Sequence, residues 1–223
     1  MISMERYVPF ETDEFYHVYN RGVDKRKIFF VDRDWDVFQW LLFARNCPDR
    51  IDIPKSLGGS WQKGKKQSEP LVDIIAYALM GNHFHLLLRE KQDDGISTFM
   101  RKLLTSYAMY MNKKYNRSGP LMCRPFRAKY VDSDEYFRWL VSYIHMNPID
   151  QIEPDWEENG ISDKQAAIKF LREYKYSSYY DYFVDTRDES LILNKEALPV
   201  DVNNLEDLSE MLEQVGQYEF TSR

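Results

Sequence analysis

The sequence predicts an α+β fold in which a mainly antiparallel sheet is covered by helices on one face. Three observations predict it. Short aromatic and β-branched runs have strand length, two of them meet at a Gly-Asn pair that suits a tight turn, and segments with apolar residues at helical spacing alternate with them. The resulting order is strand, helix, hairpin, helix, strand, helix, which a two-layer sandwich accommodates.

Phe15 to Asn20 (FYHVYN) reads as the first strand, closed by Arg21-Gly22. Asp32 is placed to cap a helix that runs to about Arg45, with Trp35, Phe38, Leu41 and Leu42 at helical spacing. From Cys47-Pro48 to Pro70 the chain turns to Gly, Ser, Lys and Pro, the composition of an exposed loop or long hairpin tip. Leu71 to Met80 and His83 to Arg89 form a predicted hairpin around Gly81-Asn82. Ile96 to about Tyr115 is a long helix with a basic flank, and Phe126 to Val131 is a short strand. Ser133 or Asp134 starts a further helix, and Pro148 ends it because the residue before a proline is pushed out of helical geometry. Beyond Asp150 come a helix-like Lys164 to Tyr174, a tyrosine cluster (YKYSSYYDYF) and an acidic amphipathic stretch from Leu205 to Val215. We divide the chain into a domain of residues 1–149 and an acidic, mostly helical extension of residues 150–223.

A chain of 223 residues, 43% hydrophobic and 15% aromatic, can bury a substantial core, so pervasive disorder is excluded. No apolar stretch approaches the roughly 20 residues a membrane span needs, so no membrane partner is expected and the cytoplasm is the expected location. Cys47 and Cys123 have neither CxxC spacing nor a paired histidine, which argues against a zinc finger or a disulfide framework.

The net charge of −6 speaks at first against a polyanionic partner. It is unevenly spread: residues 150–223 hold 18 acids against 7 Lys and Arg, a net of −11, which leaves +5 for residues 1–149. Within the front part, Arg101, Lys102, Lys113, Lys114, Arg117, Arg124, Arg127 and Lys129 occur in 30 residues without an acid. Tyr107, Tyr110, Tyr115 and Phe126 lie among them, and charge interleaved with rings suits single-stranded nucleic acid. The same pattern is also that of an amphipathic helix with a solvated basic side.

Two constellations bear on chemistry. In His83-Phe84-His85 the histidines are two apart on a strand, so both imidazoles share a face and can reach one cation. The alternative is a structural pair on a half-exposed strand. Tyr143 and Asn147 are four apart on a helix and also share a face. A phenol can form and release a covalent phosphodiester, but its pKa near 10 leaves it sluggish at neutral pH without a nearby cation. Asn147 offers a carbonyl oxygen as a third ligand beside His83 and His85 for a divalent ion, Mg2+ or Mn2+. The chain has 16 tyrosines, most of them packing or surface residues. His17 and His145 are read as structural or peripheral, His145 lying about 160° around the helix from Asn147.

Taken together, YHVYNRG (Tyr16 to Gly22), YALMGNHFHLLL (Tyr77 to Leu88), YMNKKYNRSGPLMCRPFRAKYV (Tyr110 to Val131) and YIHMNPI (Tyr143 to Ile149) resemble, in order and spacing, the HUH single-tyrosine transposases with their IS200-like domain. The REP-associated tyrosine transposases are the most similar branch. The resemblance implies a ferredoxin-like sheet, His83 and His85 as metal ligands, Asn147 completing the site and Tyr143 as nucleophile. It implies DNA contacts at Asn20, Arg21, Arg127 and Lys129. The implied activity is cleavage of single-stranded DNA, often beside a hairpin, to give a 5′-phosphotyrosine and a free 3′-hydroxyl that later rejoins DNA without ATP. The implied assembly is a monomer or a homodimer. Met122-Cys123-Arg124-Pro125 departs from the aromatic and glycine that many relatives carry there.

Two other readings compete: a non-catalytic single-strand binding module on a ferredoxin-like sheet, which needs neither the histidine pair nor Tyr143, and a hydrolytic metal nuclease, which forms no adduct. Metal dependence separates the first from a transposase, and a covalent protein–DNA species separates the second.

Overall fold

A computed structural model describes residues 9–47 and 69–198. The expected loop over 48–68 and the amphipathic stretch 205–215 lie outside the described residues. The sheet has four antiparallel strands in the order β2-β3-β1-β4: β1 Phe15–Arg21, β2 Val72–Leu79, β3 His83–Glu90 and β4 Arg127–Tyr130. With helices α1 (Asp32–Ala44) and α2 (Gly95–Lys114) connecting them, this is the ferredoxin-like arrangement. The β2–β3 hairpin turns at Gly81-Asn82, where Met80 donates its N–H to the carbonyl of His83 at 2.8 Å.

Helices divide between the two faces of the sheet. The expectation of helices on one face holds for α1 and α2, which pack on the side carrying Tyr16, Val18, Ile74, Tyr77, Leu79, Phe84, Leu86 and Leu88. The other face carries Ile75, Ala76, Ala78 and Leu87, against which α3 (Asp134–Met146) and Trp156, Ala167, Leu171 and Tyr179 form a second core. Strand alternation sends neighbouring residues to opposite sides, and β2 is buried throughout because both sides are covered. An irregularity in the β2–β3 register between Ile74 and Ala76 turns Ile75 toward the second core.

Caps explain the helix ends. Asp34, rather than the expected Asp32, satisfies donors at the start of α1: its carboxylate accepts from the N–H of Phe30 at 2.9 Å and of Val31 at 3.2 Å. At the start of α2 the buried Glu90 carboxylate accepts from the N–H groups of Gly95 (2.8 Å) and Ile96 (2.7 Å). A Cβ on Gly95 would stand 2.3 Å from the Leu71 carbonyl oxygen, so only glycine fits there. Ser133 caps α3 by accepting from the N–H of Tyr136. The α-helix ends at Met146 as Pro148 requires, but the chain continues as a tighter 3-10 turn, Asn147–Gln151, so Asn147 stays one turn above Tyr143.

Residues after Asp150 are joined closely to the sheet. Helices α4 (Trp156–Asn159), α5 (Lys164–Glu173) and α6 (Tyr179–Phe183) lie over the second face. The segment around them also runs along the outer edge of β2, where backbone hydrogen bonds link Leu79 N to Tyr176 O, Ser178 N to Tyr77 O and Asn194 N to Ile74 O. The buried Asp181 fastens this segment: Arg187 grips its carboxylate in a fork at 2.9 and 2.8 Å. No helix among the described residues is long and apolar enough to cross a membrane.

Candidate active site

His83 and His85 occupy alternate positions of β3 and therefore face the second core, the side covered by α3. Their rings are 5.1 Å apart and nearly perpendicular. Across the sheet, Arg21 pairs with His83, Tyr19 with His85 and His17 with Leu87, so Arg21, Tyr19 and His17 share that face. His17, which the sequence reading set aside as structural or peripheral, lies inside the cluster: its Nε2 is 2.8 Å from Nδ1 of His85. The imidazole of Tyr19's partner His85 is stacked on the Tyr19 ring at 5.8 Å. Only pairing of β1 with β3 brings His17 there, and the signal for it was the parity of His17 with Arg21 on a strand whose partner was unknown.

Tyr143 and Asn147 project from α3 and the turn after it toward the same place. The Tyr143 ring is 5.5 Å from that of His85 and stacks on Trp139 at 4.9 Å and 9°. Tyr143 is half-buried, and its phenol is held above the ordinary range, first by burial and then by the negative field of Glu157. A hydrogen bond from Asn147 works in the opposite direction. Glu157, on α4, also hydrogen-bonds the phenol, and burial followed by repulsion from Asp150 raises its own pKa. Nothing in the sequence of an acid-rich tail singles out this one glutamate.

The donor chemistry around His83 fits a cation. Asn82 donates its amide N–H to the Lys25 carbonyl at 3.2 Å, so its oxygen, 2.6 Å from His83 Nδ1, accepts from that ring. Burial lowers the His83 pKa, although Asn147 partly opposes the effect, so the ring is neutral and Nε2 carries a lone pair. That lone pair faces the carbonyl oxygen of Asn147 at 3.3 Å. Two acceptors pointing at each other are poorly satisfied alone and well satisfied by a shared cation. His85 is likewise neutral, its pKa driven well below the usual value by burial and then by His17 and His83. Among the described residues no group of three or more His, Cys, Asp and Glu forms a metal cluster.

His145 lies in the core as expected for a structural residue, its Nε2 2.8 Å from Ser178 Oγ. The basic residues, contiguous in sequence, do not form one surface. Arg127 and Lys129 are exposed on β4 opposite Tyr19 and His17, hence on the histidine face, with the Lys129 ammonium 4.4 Å from the Tyr136 ring. Arg21 is exposed on the same face. Arg101, Lys102, Lys113 and Lys114 belong to α2, which packs on the opposite face. Lys102 donates to the Cys47 carbonyl, and Lys114 is bound to the buried Asp34 at 2.6 Å. Arg117 and Arg124 lie in the connection between α2 and β4. Asn20, expected at the DNA, is 5% exposed and holds a loop instead. Its amide donates to the Cys123 carbonyl at 3.0 Å, its oxygen accepts from the Arg21 N–H at 2.8 Å, and strand parity places it on the side opposite the histidines.

Residues 63–147 match the family model described as transposase IS200 like. Among solved structures, that of a REP-associated tyrosine transposase bound to a REP hairpin is similar in fold: TM-score 0.52, 14% identity, with 81% of this chain and 84% of that chain covered. No curated protein sequence matches.

Proposed function

We propose, from the premise that this chain carries an IS200-like transposase domain, that it cuts and rejoins single-stranded DNA through a tyrosine adduct. The observation that carries the reading is the convergence of the Tyr143 phenol, the His83 and His85 imidazoles and the Asn147 amide on one face of the sheet. His83, His85 and Asn147 would hold a divalent ion, Mg2+ or Mn2+, which when bound neutralises charge building on the scissile phosphate.

The Tyr143 oxygen attacks phosphorus, a P–O bond to Tyr143 forms, and the bond to the departing 3′ oxygen breaks. The phenolic proton leaves toward the neighbouring Glu157 or water, and the 3′ oxygen takes up a proton as it departs. A 3′-hydroxyl later attacks the 5′-phosphotyrosine, restoring the phosphodiester and the phenol. Since one ester is exchanged for another, no nucleotide cofactor is needed. Arg21, Arg127 and Lys129 would hold the strand's phosphates, and the exposed side of the Tyr19 ring suits a stacked base. A hairpin beside the cut is the preferred substrate in this reading, which the hairpin-bound structural neighbour supports, and the cytoplasm is the location that goes with it.

The test is incubation with labelled single-stranded hairpin DNA and Mn2+, followed by a denaturing gel. A covalent protein–DNA band is expected from the native chain and none from Tyr143→Phe, which should still bind DNA. An adduct formed by that variant, or no adduct from either chain, would overturn the reading.

A further inference from the structure

We infer that His17 is a positioning residue for the metal site: it accepts the Nδ1–H of His85 and so leaves Nε2 of His85 as the ligating nitrogen. The inference rests on the reading of His83, His85 and Asn147 as cation ligands and adds a fourth residue that does not touch the ion.

Its basis is the 2.8 Å contact between His17 Nε2 and His85 Nδ1, made by rings stacked at 5.1 Å and 22°. Both residues are 7% exposed, so water does not compete for the bond. One proton lies between these nitrogens. Were it on His17, the neutral His85 would carry its own proton on Nε2 and have no lone pair for a cation. Were it on His85, Nε2 is free and His17 must be the tautomer protonated on Nδ1. A metal-bound histidine is held in the second state by an acceptor at its other nitrogen, which fixes both the proton and the ring plane. Asn82 supplies that acceptor to His83, and His17 supplies the corresponding one to His85.

His17 is enclosed on the histidine face. Lys129 stands opposite on β4, Tyr143 lies 6.3 Å away and Tyr19 4.8 Å away, ring to ring.

The test is Mn2+ titration followed by electron paramagnetic resonance on the native chain, His85→Ala, His17→Leu and His17→Gln. Thermal unfolding confirms that each is folded. His17→Leu removes the acceptor and should weaken Mn2+ binding about 10- to 100-fold. His17→Gln can present an amide oxygen where Nε2 stood and should restore binding to within about threefold, a rescue that loss of packing alone would not give. In the native metal-free chain, 15N NMR of the imidazoles should find the His85 proton on Nδ1, whatever the variants do.

Native-like binding by His17→Leu, equal weakening by Leu and Gln, or a His85 proton on Nε2 would overturn the inference while leaving the ligand set standing. If the native chain binds no Mn2+, or binds it as well without His85, the ligand reading itself fails and the role of His17 falls with it.

Discussion

Removing charge from β4 should weaken DNA binding in a salt-dependent way, whereas removing the same charge from α2 should not. Arg127 and Lys129 stand on the histidine face, beside the strand that carries His17 and Tyr19, while Arg101 and Lys113 belong to the helix behind the sheet. Each cation that neutralises a phosphate of a single strand adds about 0.7 to the slope of log affinity against log salt. Arg127→Gln with Lys129→Gln should therefore flatten the slope by about 1.4, so that raising salt from about 50 to about 200 mM weakens the variant about sevenfold less than the parent. Both residues are exposed, and the contact of Lys129 with the Tyr136 ring contributes only about 0.5–1 kcal/mol, so the fold should survive. Fluorescence anisotropy of a labelled hairpin across a salt series measures the slope, with Tyr143→Phe in all chains to prevent cleavage. Arg101→Gln with Lys113→Gln is the charge-matched control. Equal flattening by the two pairs, or none from the β4 pair, would refute the assignment of the DNA to the histidine face.

Other consequences are as direct. Chelation with EDTA should abolish the adduct while leaving hairpin binding in place, as a gel shift would check. Mn2+ at about a hundredfold its Kd should stabilise the native chain by about 2.7 kcal/mol in denaturant titrations and His85→Ala not at all. Asp181→Ala leaves the partly buried Arg187 guanidinium without its carboxylate and should destabilise by about 3–5 kcal/mol in urea unfolding. The Asp34 carboxyl is raised by burial but lowered more by hydrogen bonds from Lys114, Tyr115, the Phe30 N–H and Tyr110, and ends below the usual range. A depressed folded-state pKa stabilises above the unfolded value of about 3.9 and is lost as pH falls below it. Acid unfolding should therefore steepen below about pH 4, and Asp34→Asn should remove that steepening while costing about 2 kcal/mol at neutral pH.

Local order made much of the fold legible. The hairpin at Gly81-Asn82, the α2 span and the Ser133 start of α3 each follow from a few adjacent residues, and all are found. So do the shared faces of His83 with His85 and of Tyr143 with Asn147, because strand and helix periods fix them without knowledge of partners. What depends on pairing across the chain was hidden. His17 meets His85 only because β1 lies beside β3, and Glu157 meets Tyr143 only because α4 folds back over the sheet. The run of basic residues looked like one surface because a sequence has no inside: the sheet passes through the middle of it, leaving α2 on one side and β4 on the other. Asn20 was assigned by motif position alone, and its burial follows from the strand alternation that exposes Arg21.

The backbone bonds that Tyr176, Ser178 and Asn194 make along β2 have a bearing on how the protein can be dissected. A fragment ending at residue 149 would retain every proposed ligand and the nucleophile, yet it would bare a long, apolar strand margin together with Ile75, Ala76 and Leu87. Such margins recruit the strands of other molecules, so the shortened protein should self-associate rather than cut DNA. Residues 150–198 thus shield what residues 1–149 would otherwise expose, and a minimal folded unit should include them.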